Sequence, residues 1–152
     1  MRRILSVLSC IALVFSLGAC GAQKSLVLAP FCSEVRFNMG DVTVRGKLNF
    51  VSADNVTFTV SEPDYVSRLV FSRDEVSVDG VKTSYGKVAD SSPVRILLDV
   101  IADVSSTELT VPLKGEFTHS GETSSAGYKM IFDCENDRIT NIEAGKFTYI
   151  FE

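Results

Sequence analysis

The sequence predicts an α+β domain with a curved, mostly antiparallel sheet of about eight or nine strands and one inserted helix. Apolar and polar residues alternate through most of the chain after residue 34, the pattern of strands buried on one face. The alternation gives way once to a helical spacing, over residues 92–106. Because one helix of about 12 residues covers only part of so long a sheet, we expect an unclosed half-barrel curled around the helix.

The first four strands are predicted at residues 35–39, 42–50, 56–60 and 69–71. Asp79 and Gly80 then separate residues 76–78 from residues 81–85. This pair predicts a hairpin, since a two-residue hairpin turn requires positive φ angles that Asp and Gly tolerate. Gly46, inside the second strand, is a predicted bend point.

The helix is predicted to begin at Ser92 and Pro93, because a serine caps the first turn and a proline suits the first helical position. One apolar stripe follows at the i, i+3, i+4 and i+7 spacing: Val94, Leu97, Leu98 and Ile101. Arg95, Asp99 and Asp103 lie off this stripe. We expect the helix to end near residues 104–106.

Four strands are predicted after the helix, at residues 113–117, 128–132, 139–142 and 147–151. Pro112 indicates a strand start or an edge strand, and Gly115 is a second bend point. The three-residue spacing of the isoleucines in the 139–142 strand predicts a bulge there. Residues 119–125 are polar and are expected to form a loop, with His119 exposed in it.

The N-terminus has the order of a secretory signal: two arginines, an apolar run, then small residues. The run is shorter than the roughly 20 residues that span a bilayer. It ends at Leu17-Gly18-Ala19-Cys20, which resembles the lipobox of bacterial lipoproteins. That resemblance implies cleavage before Cys20 and lipidation of this cysteine, with acyl chains such as palmitate. The chain would then be anchored to the cell membrane, facing outside the cytoplasm. The alternative is an ordinary signal peptide with a chance cysteine.

We therefore expect three parts: a signal peptide at residues 1–19, a lipidated tether at 20–31 and a single domain at 32–152. The 133 residues left after cleavage suffice for one core and are too few for two. They carry 13 basic and 19 acidic residues, a net charge of −6. This charge disfavours nucleic acid as a partner, since phosphate neutralisation supplies most of such affinity. It also leaves membrane attachment to the acyl chains, because anionic headgroups repel an acidic domain.

Cys32 and Cys134 remain after lipidation of Cys20. Disulfides persist outside the cytoplasm, and a bridge between these two would close a loop of about 100 residues. In the chain-entropy model such a bridge contributes roughly 4.7 kcal/mol of stability. Two buried free thiols are the alternative, and the sequence leaves both arrangements open.

Ten apolar side chains are predicted to point to one side: Val44, Leu48, Phe58, Phe71, Leu97, Leu98, Ile101, Phe117, Met130 and Phe132. They either line an apolar cavity for a lipid or fill an ordinary core. Protein interiors pack near crystal density, and a domain of this size needs most of its apolar groups for stability. Both interpretations stay open at this point.

The order of the elements resembles that of the LolA/LolB-type lipoprotein carriers and the related LppX/LprG-type lipoproteins. The resemblance covers about residues 35–151 and rests on residues 55–60, Glu62-Pro63-Asp64, the 76–80 hairpin ending at Tyr85, Ser92-Pro93 with Leu97-Leu98, and residues 136–152. It implies an unclosed barrel with helices on its concave side and a cavity that takes acyl chains. This chain is shorter than those proteins, shows no pattern for an N-terminal helix and has no tryptophan.

No catalytic signature is present in the sequence, which has no Gly-x-Ser-x-Gly, no phosphate-binding glycine loop and no Cys-x-x-Cys pair. His119, the only histidine, stands without the further ligands that a zinc site needs. Asp133, Glu135 and Asp137 lack the following glutamate of a calcium loop and are expected to form a solvated turn. We therefore expect no enzyme activity, no metal and no cofactor.

The sequence thus favours a non-catalytic, membrane-anchored lipoprotein of the bacterial cell envelope. Its expected ligand is a lipid or acyl chain bound in the concave face of the sheet. The alternative is a structural or interaction module of the envelope, with a fully packed core and no ligand cavity. In that case the sheet edge or the acidic surface binds a protein partner, which no motif identifies.

Overall fold

The computed structural model describes residues 22–63, 68–83 and 88–152 of the chain. The predicted signal peptide and the predicted lipidation site, Cys20, lie outside the described residues, as do Asp64 and Tyr85. No helix in the described part of the chain combines the length and the apolar character needed to span a bilayer.

Twelve strands and one helix are present in the described residues. Before the helix lie β1 (Gln23–Leu26), β2 (Phe31–Met39), β3 (Val42–Ser52), β4 (Asn55–Glu62), β5 (Leu69–Phe71), β6 (Val76–Val78) and β7 (Val81–Lys82). The helix is α1 (Pro93–Ser106). After it lie β8 (Leu109–Pro112), β9 (Glu116–Glu122), β10 (Gly127–Asp133), β11 (Arg138–Ala144) and β12 (Phe147–Phe151).

Ten of these strands form one antiparallel sheet in the order β7-β6-β5-β4-β3-β2-β12-β11-β10-β9. Its two halves meet where β12 pairs with β2, with Ile150 opposite Arg36 and Phe151 opposite Val35. The outermost strands, β7 and β9, are not paired with each other, so the sheet is open. The predicted fold class is confirmed: a curved, mostly antiparallel sheet with one helix inserted late in the chain.

Two local predictions about the strands are confirmed as well. Asp79 and Gly80 have φ angles of 50° and 83° and form the two-residue turn between β6 and β7. In the β10–β11 pair, Ile131 faces Asn141 while Phe132 faces Ile139. One extra residue on β11 therefore forms the bulge that the spacing of its isoleucines predicted.

The core lies between the inner face of the sheet and α1, which packs against β3 and β4. Leu97, Leu98 and Ile101 of the predicted stripe are fully buried. The helix start is tied to the far half of the sheet, because the Tyr149 hydroxyl donates a hydrogen bond to the Pro93 carbonyl oxygen at 2.7 Å.

The predicted tether is shorter than expected, because part of it is a strand. Residues 23–26 form β1, which pairs with β8 in a separate two-stranded sheet. Leu26 and Val111 of these strands are buried in the core. The two strands lie far apart in sequence, and neither shows a clear alternation of apolar and polar residues. Local sequence patterns therefore do not predict them.

The predicted strand at residues 113–117 and the predicted loop at residues 119–125 were wrong, whereas the bend predicted at Gly115 is confirmed. Residues 113–115 form a bend, and Gly115 has a φ of 84°, which a continuous strand does not accommodate. Pro112 ends β8, an edge strand of the two-stranded sheet, so of the two positions predicted for this proline the strand start was wrong and the edge is confirmed. β9 then runs through most of the predicted polar loop, so its exposed loop does not exist as predicted. The strands β1 and β8 were not predicted. They bring the number of strands in the described residues to twelve, more than the eight or nine expected.

Asp99 is the one buried charged residue among the described residues. Its carboxylate accepts hydrogen bonds from Arg73 Nε at 2.9 Å, Arg95 Nε at 2.9 Å and Ser125 Oγ at 2.7 Å. Burial alone would raise the pKa of Asp99, but the bonds from Ser125 and the two arginines hold that pKa below its usual range. The ionised carboxylate thus ties α1 to residues on either side of it, and this tie is lost as the pH falls through the lowered pKa.

Gly46 of β3, predicted as a bend point, lies where the register between β3 and β4 shifts. The ring of Phe58 packs directly over its Cα, so an added Cβ would overlap that ring and lie 2.5 Å from the Thr59 carbonyl oxygen. This close approach of β4 requires a glycine at position 46.

We expect Asp99→Ala to lower the free energy of unfolding by about 3 kcal/mol, because it leaves two arginines without their shared carboxylate. Urea denaturation measures the change. The matched control is Asp74→Ala, which also removes a carboxylate bound to Arg95 but one that is 71% exposed. The control should cost less than about 1 kcal/mol. Equal losses in the two variants would contradict the role of burial.

Gly46→Ala should lower the free energy of unfolding by about 1–3 kcal/mol, since the new methyl group overlaps a packed aromatic ring and a backbone oxygen. Thermal or urea unfolding measures it. Gly127→Ala is the control: it also lies in a strand, and nothing lies within 4 Å of its added Cβ. If the Gly46 variant were as stable as the Gly127 variant, β3 and β4 would be able to move apart at position 46 without lowering the free energy of unfolding.

Candidate functional site

The ten apolar residues predicted to face one side do come together, but as packed core. Eight of them are buried, and Phe71 and Phe117 are partly buried and pack against the same cluster. Of the ten, only Phe132 lines the cavity described next. The helix and the inner face of the sheet therefore fill the space in which the sequence allowed a ligand.

A cavity of about 540 Å³ lies between the N-terminal segment and the sheet. One wall is formed by residues 24–33, which contain most of β1 and the start of β2. The other wall is formed by the adjoining ends of β10, β11 and β12. We call this space the N-terminal cavity.

The deeper lining of the N-terminal cavity is apolar. Leu26 contributes from β1, and Phe132, Ile139 and Phe151 are buried inner-face residues of the sheet. Phe31 is half-buried and stacks at 5.5 Å, centroid to centroid, on Phe50. Cavities of roughly 300–1,000 Å³ with this kind of lining are typical of small-molecule sites. The N-terminal cavity therefore has the size and surface chemistry for an apolar ligand.

Charged residues line the rim of the N-terminal cavity and hold its wall. Lys24 Nζ donates to the Cys134 carbonyl oxygen at 2.9 Å and forms an ion pair with Asp137. On the opposite side, Ser33 Oγ donates to the Glu152 carbonyl oxygen at 3.1 Å. Since Lys24 and Asp137 are both partly exposed, their ion pair holds the β1 wall only weakly.

Sequence reasoning missed most of this lining, including Lys24, Ile139 and Phe151. Ile139 and Phe151 were placed correctly in strands, but nothing local shows that the N-terminal segment folds over them. The one available signal was the apolar cluster at residues 26–28, which favoured packing of the tether on the domain. That packing is confirmed by the burial of Leu26.

Cys32 and Cys134 are both free in the structure. Cys32 is exposed, whereas Cys134 is buried in the core. Burial raises the pKa of the Cys134 thiol, so it stays protonated and unreactive near neutrality. Both cysteines in the described part of the chain are therefore unbridged, and only Cys134 is buried.

His119 was predicted in an exposed loop, and this was wrong: it is half-buried in β9. Its ring lies edge-on to Tyr128, with 5.8 Å between the centroids. The Tyr128 hydroxyl donates to Asp103 Oδ2 at 2.6 Å, and burial together with this bond raises the pKa of the phenol. Adjacent strand residues point to opposite faces, so Ser120 points away from His119 and cannot be activated by it.

The acidic residues at the β10–β11 connection form a hydrogen-bonded turn. Asp133 Oδ1 accepts the backbone N–H groups of Glu135 at 3.0 Å and Asn136 at 3.2 Å. The Asn136 side chain donates to the other oxygen of Asp133 at 2.7 Å. Across residues 22–63, 68–83 and 88–152, no three metal-ligating side chains are grouped to hold an ion.

The chain matches no family model, no curated protein and no solved structure. The likeness to the Lol-type carriers therefore rests on the order of sequence segments alone.

Proposed function

We propose that this chain is a non-catalytic lipoprotein of the bacterial cell envelope, lipid-anchored through Cys20 and facing outside the cytoplasm. We further propose that it binds a lipid acyl chain in the N-terminal cavity. The observation that carries this proposal is the position of the cavity: its lining begins at Lys24, four residues after the predicted lipidation site.

The chemistry of the cavity supports an acyl ligand. The deep lining is hydrocarbon, and burying each methylene of an acyl chain there contributes about 0.8 kcal/mol. Charged groups such as Arg138 and Glu152 line the same cavity and suit a polar headgroup at its entrance. The open sheet with one inserted helix is also the kind of architecture that the resemblance to lipoprotein carriers implies.

A protein-binding module is the second candidate, and β9 favours it. This seven-residue strand lies at one end of the sheet and pairs only with β10 among the described residues. Its outer edge offers unpaired backbone groups to a strand of another protein. The packing of the ten core residues also fits this candidate, since it leaves no space for a ligand among those residues.

Cys20→Ala should release the protein from the membrane fraction, because one residue carries the whole proposed anchor. Fractionation of cells and metabolic labelling with a palmitate analogue measure the loss. Cys32→Ala, which removes an exposed cysteine of the domain, is the control and should stay anchored and labelled. A Cys20 variant that remains membrane-bound and labelled would contradict the anchor.

Ser33→Phe should abolish lipid binding, because Ser33 lines the N-terminal cavity and shares a strand face with buried Val35. Native mass spectrometry of the lipidated full chain measures it, as a mass that organic extraction removes. Asn49→Phe is the control, since Asn49 is exposed on the opposite face of β3. It should keep the extractable mass.

Two other results would count against the acyl ligand. Wild-type protein without an extractable mass, even after incubation with membrane lipids, would favour the protein-binding module. Equal loss of the mass in the Ser33 and Asn49 variants would show that the lipid is bound elsewhere. Circular dichroism checks that both variants fold.

A further inference from the structure

Leu113 is an exposed apolar side chain on a bend that is held from two sides. Its side chain is 46% exposed. Its backbone N–H donates to the Ala22 carbonyl oxygen at 3.2 Å, and the Cys134 N–H donates to the Gly115 carbonyl oxygen at 2.9 Å. Because the bend is fixed to both the N-terminal segment and the β10–β11 turn, Leu113 keeps a defined position relative to the start of β1.

That position is next to the predicted anchor. Ala22 is two residues from Cys20 in the sequence, and two extended residues span only about 7 Å. The headgroup layer on one side of a bilayer is of similar thickness, about 5–8 Å. Acyl chains on Cys20 would therefore bring Leu113 to the depth of the headgroups.

The charges around the bend favour apolar contact over electrostatic attraction. Lys24 is paired with Asp137, and Arg138 lies 3.9 Å from Asp133. Lys114, next to the exposed leucine, is the basic residue of the bend itself. A lysine beside an inserted leucine extends its ammonium group back toward water while its methylenes stay in the interface.

We propose that residues 113–115 dock on the lipid bilayer, with the Leu113 side chain inserted at the boundary of the headgroups and acyl chains. One leucine buries too little apolar area to hold a protein on a membrane, but it selects one orientation once the anchor holds. That orientation turns the start of β1, and the N-terminal cavity beside it, toward the bilayer. The proposal rests on the proposed anchor at Cys20 and does not require that the cavity bind a lipid.

Tryptophan reporters in the lipidated full chain test this proposal, because the natural sequence has no tryptophan. Leu113→Trp places the only tryptophan on the bend. Val42→Trp is the matched control: Val42 is also 46% exposed, but it begins β3 opposite Met39, the last residue of β2, about 27 Å along that strand from its start. Both variants are reconstituted in vesicles of phosphatidylethanolamine and phosphatidylglycerol, with or without bromine on the acyl chains.

Brominated chains should quench the tryptophan at position 113 at least twofold more than the tryptophan at position 42. Equal quenching of the two reporters, or no quenching at position 113 in protein that floats with the vesicles, would overturn the docking proposal. Protein that carries no acyl mass and does not float would instead overturn the anchor itself, and the docking proposal with it. The extractable lipid mass is measured separately, so failure of the cavity to bind lipid is distinguishable from both.

Discussion

The apolar inner face of the ten-stranded sheet must be shielded from water. The segments that pack over this face determine the rest of the structure. The helix α1 has 14 residues and contacts β3 and β4. The other half of the face depends on β1 and β8, whose Leu26 and Val111 enter the core. Where β1 ends and the chain turns into β2, the cover is incomplete, and the N-terminal cavity lies there. The cavity thus forms where this short domain has no further apolar segment to pack over the inner face of its sheet.

The helix α1 and the β1 wall are held on the sheet by interactions of unequal strength. The helix is tied by Asp99, whose side chain is 3% exposed and which accepts bonds from two arginines. The β1 wall is tied by Lys24 to Asp137, whose side chain is 69% exposed. Breaking a buried charge network is costly, whereas an exposed ion pair contributes little. We therefore expect local opening to begin at the β1 wall rather than at the helix.

The sequence predicted the parts of the fold that local patterns encode. Alternation identified β2, β3 and β4, and the Ser92-Pro93 start located the helix. The strand β9 was missed because its inner positions include His119 and Gly121, and Gly121 leaves room for the Tyr128 ring, so the apolar alternation fails. The cavity was missed for a different reason. It exists because β1 pairs with β8, a contact between distant segments that no local period encodes.

The location of the cavity beside the predicted anchor also bears on how a ligand would reach it. An acyl chain that crosses water loses about 0.8 kcal/mol for each methylene it exposes, so long chains leave a bilayer slowly. A domain on a long tether would require that step. Here β1 begins at Gln23, so only residues 21 and 22 separate the described strand from Cys20. With the cavity wall held at the bilayer surface, a chain could pass from membrane to cavity while exposing few methylenes at a time. Under the proposed anchoring and acyl binding, the short link would therefore lower the kinetic barrier to transfer, because it keeps the cavity close to the bilayer.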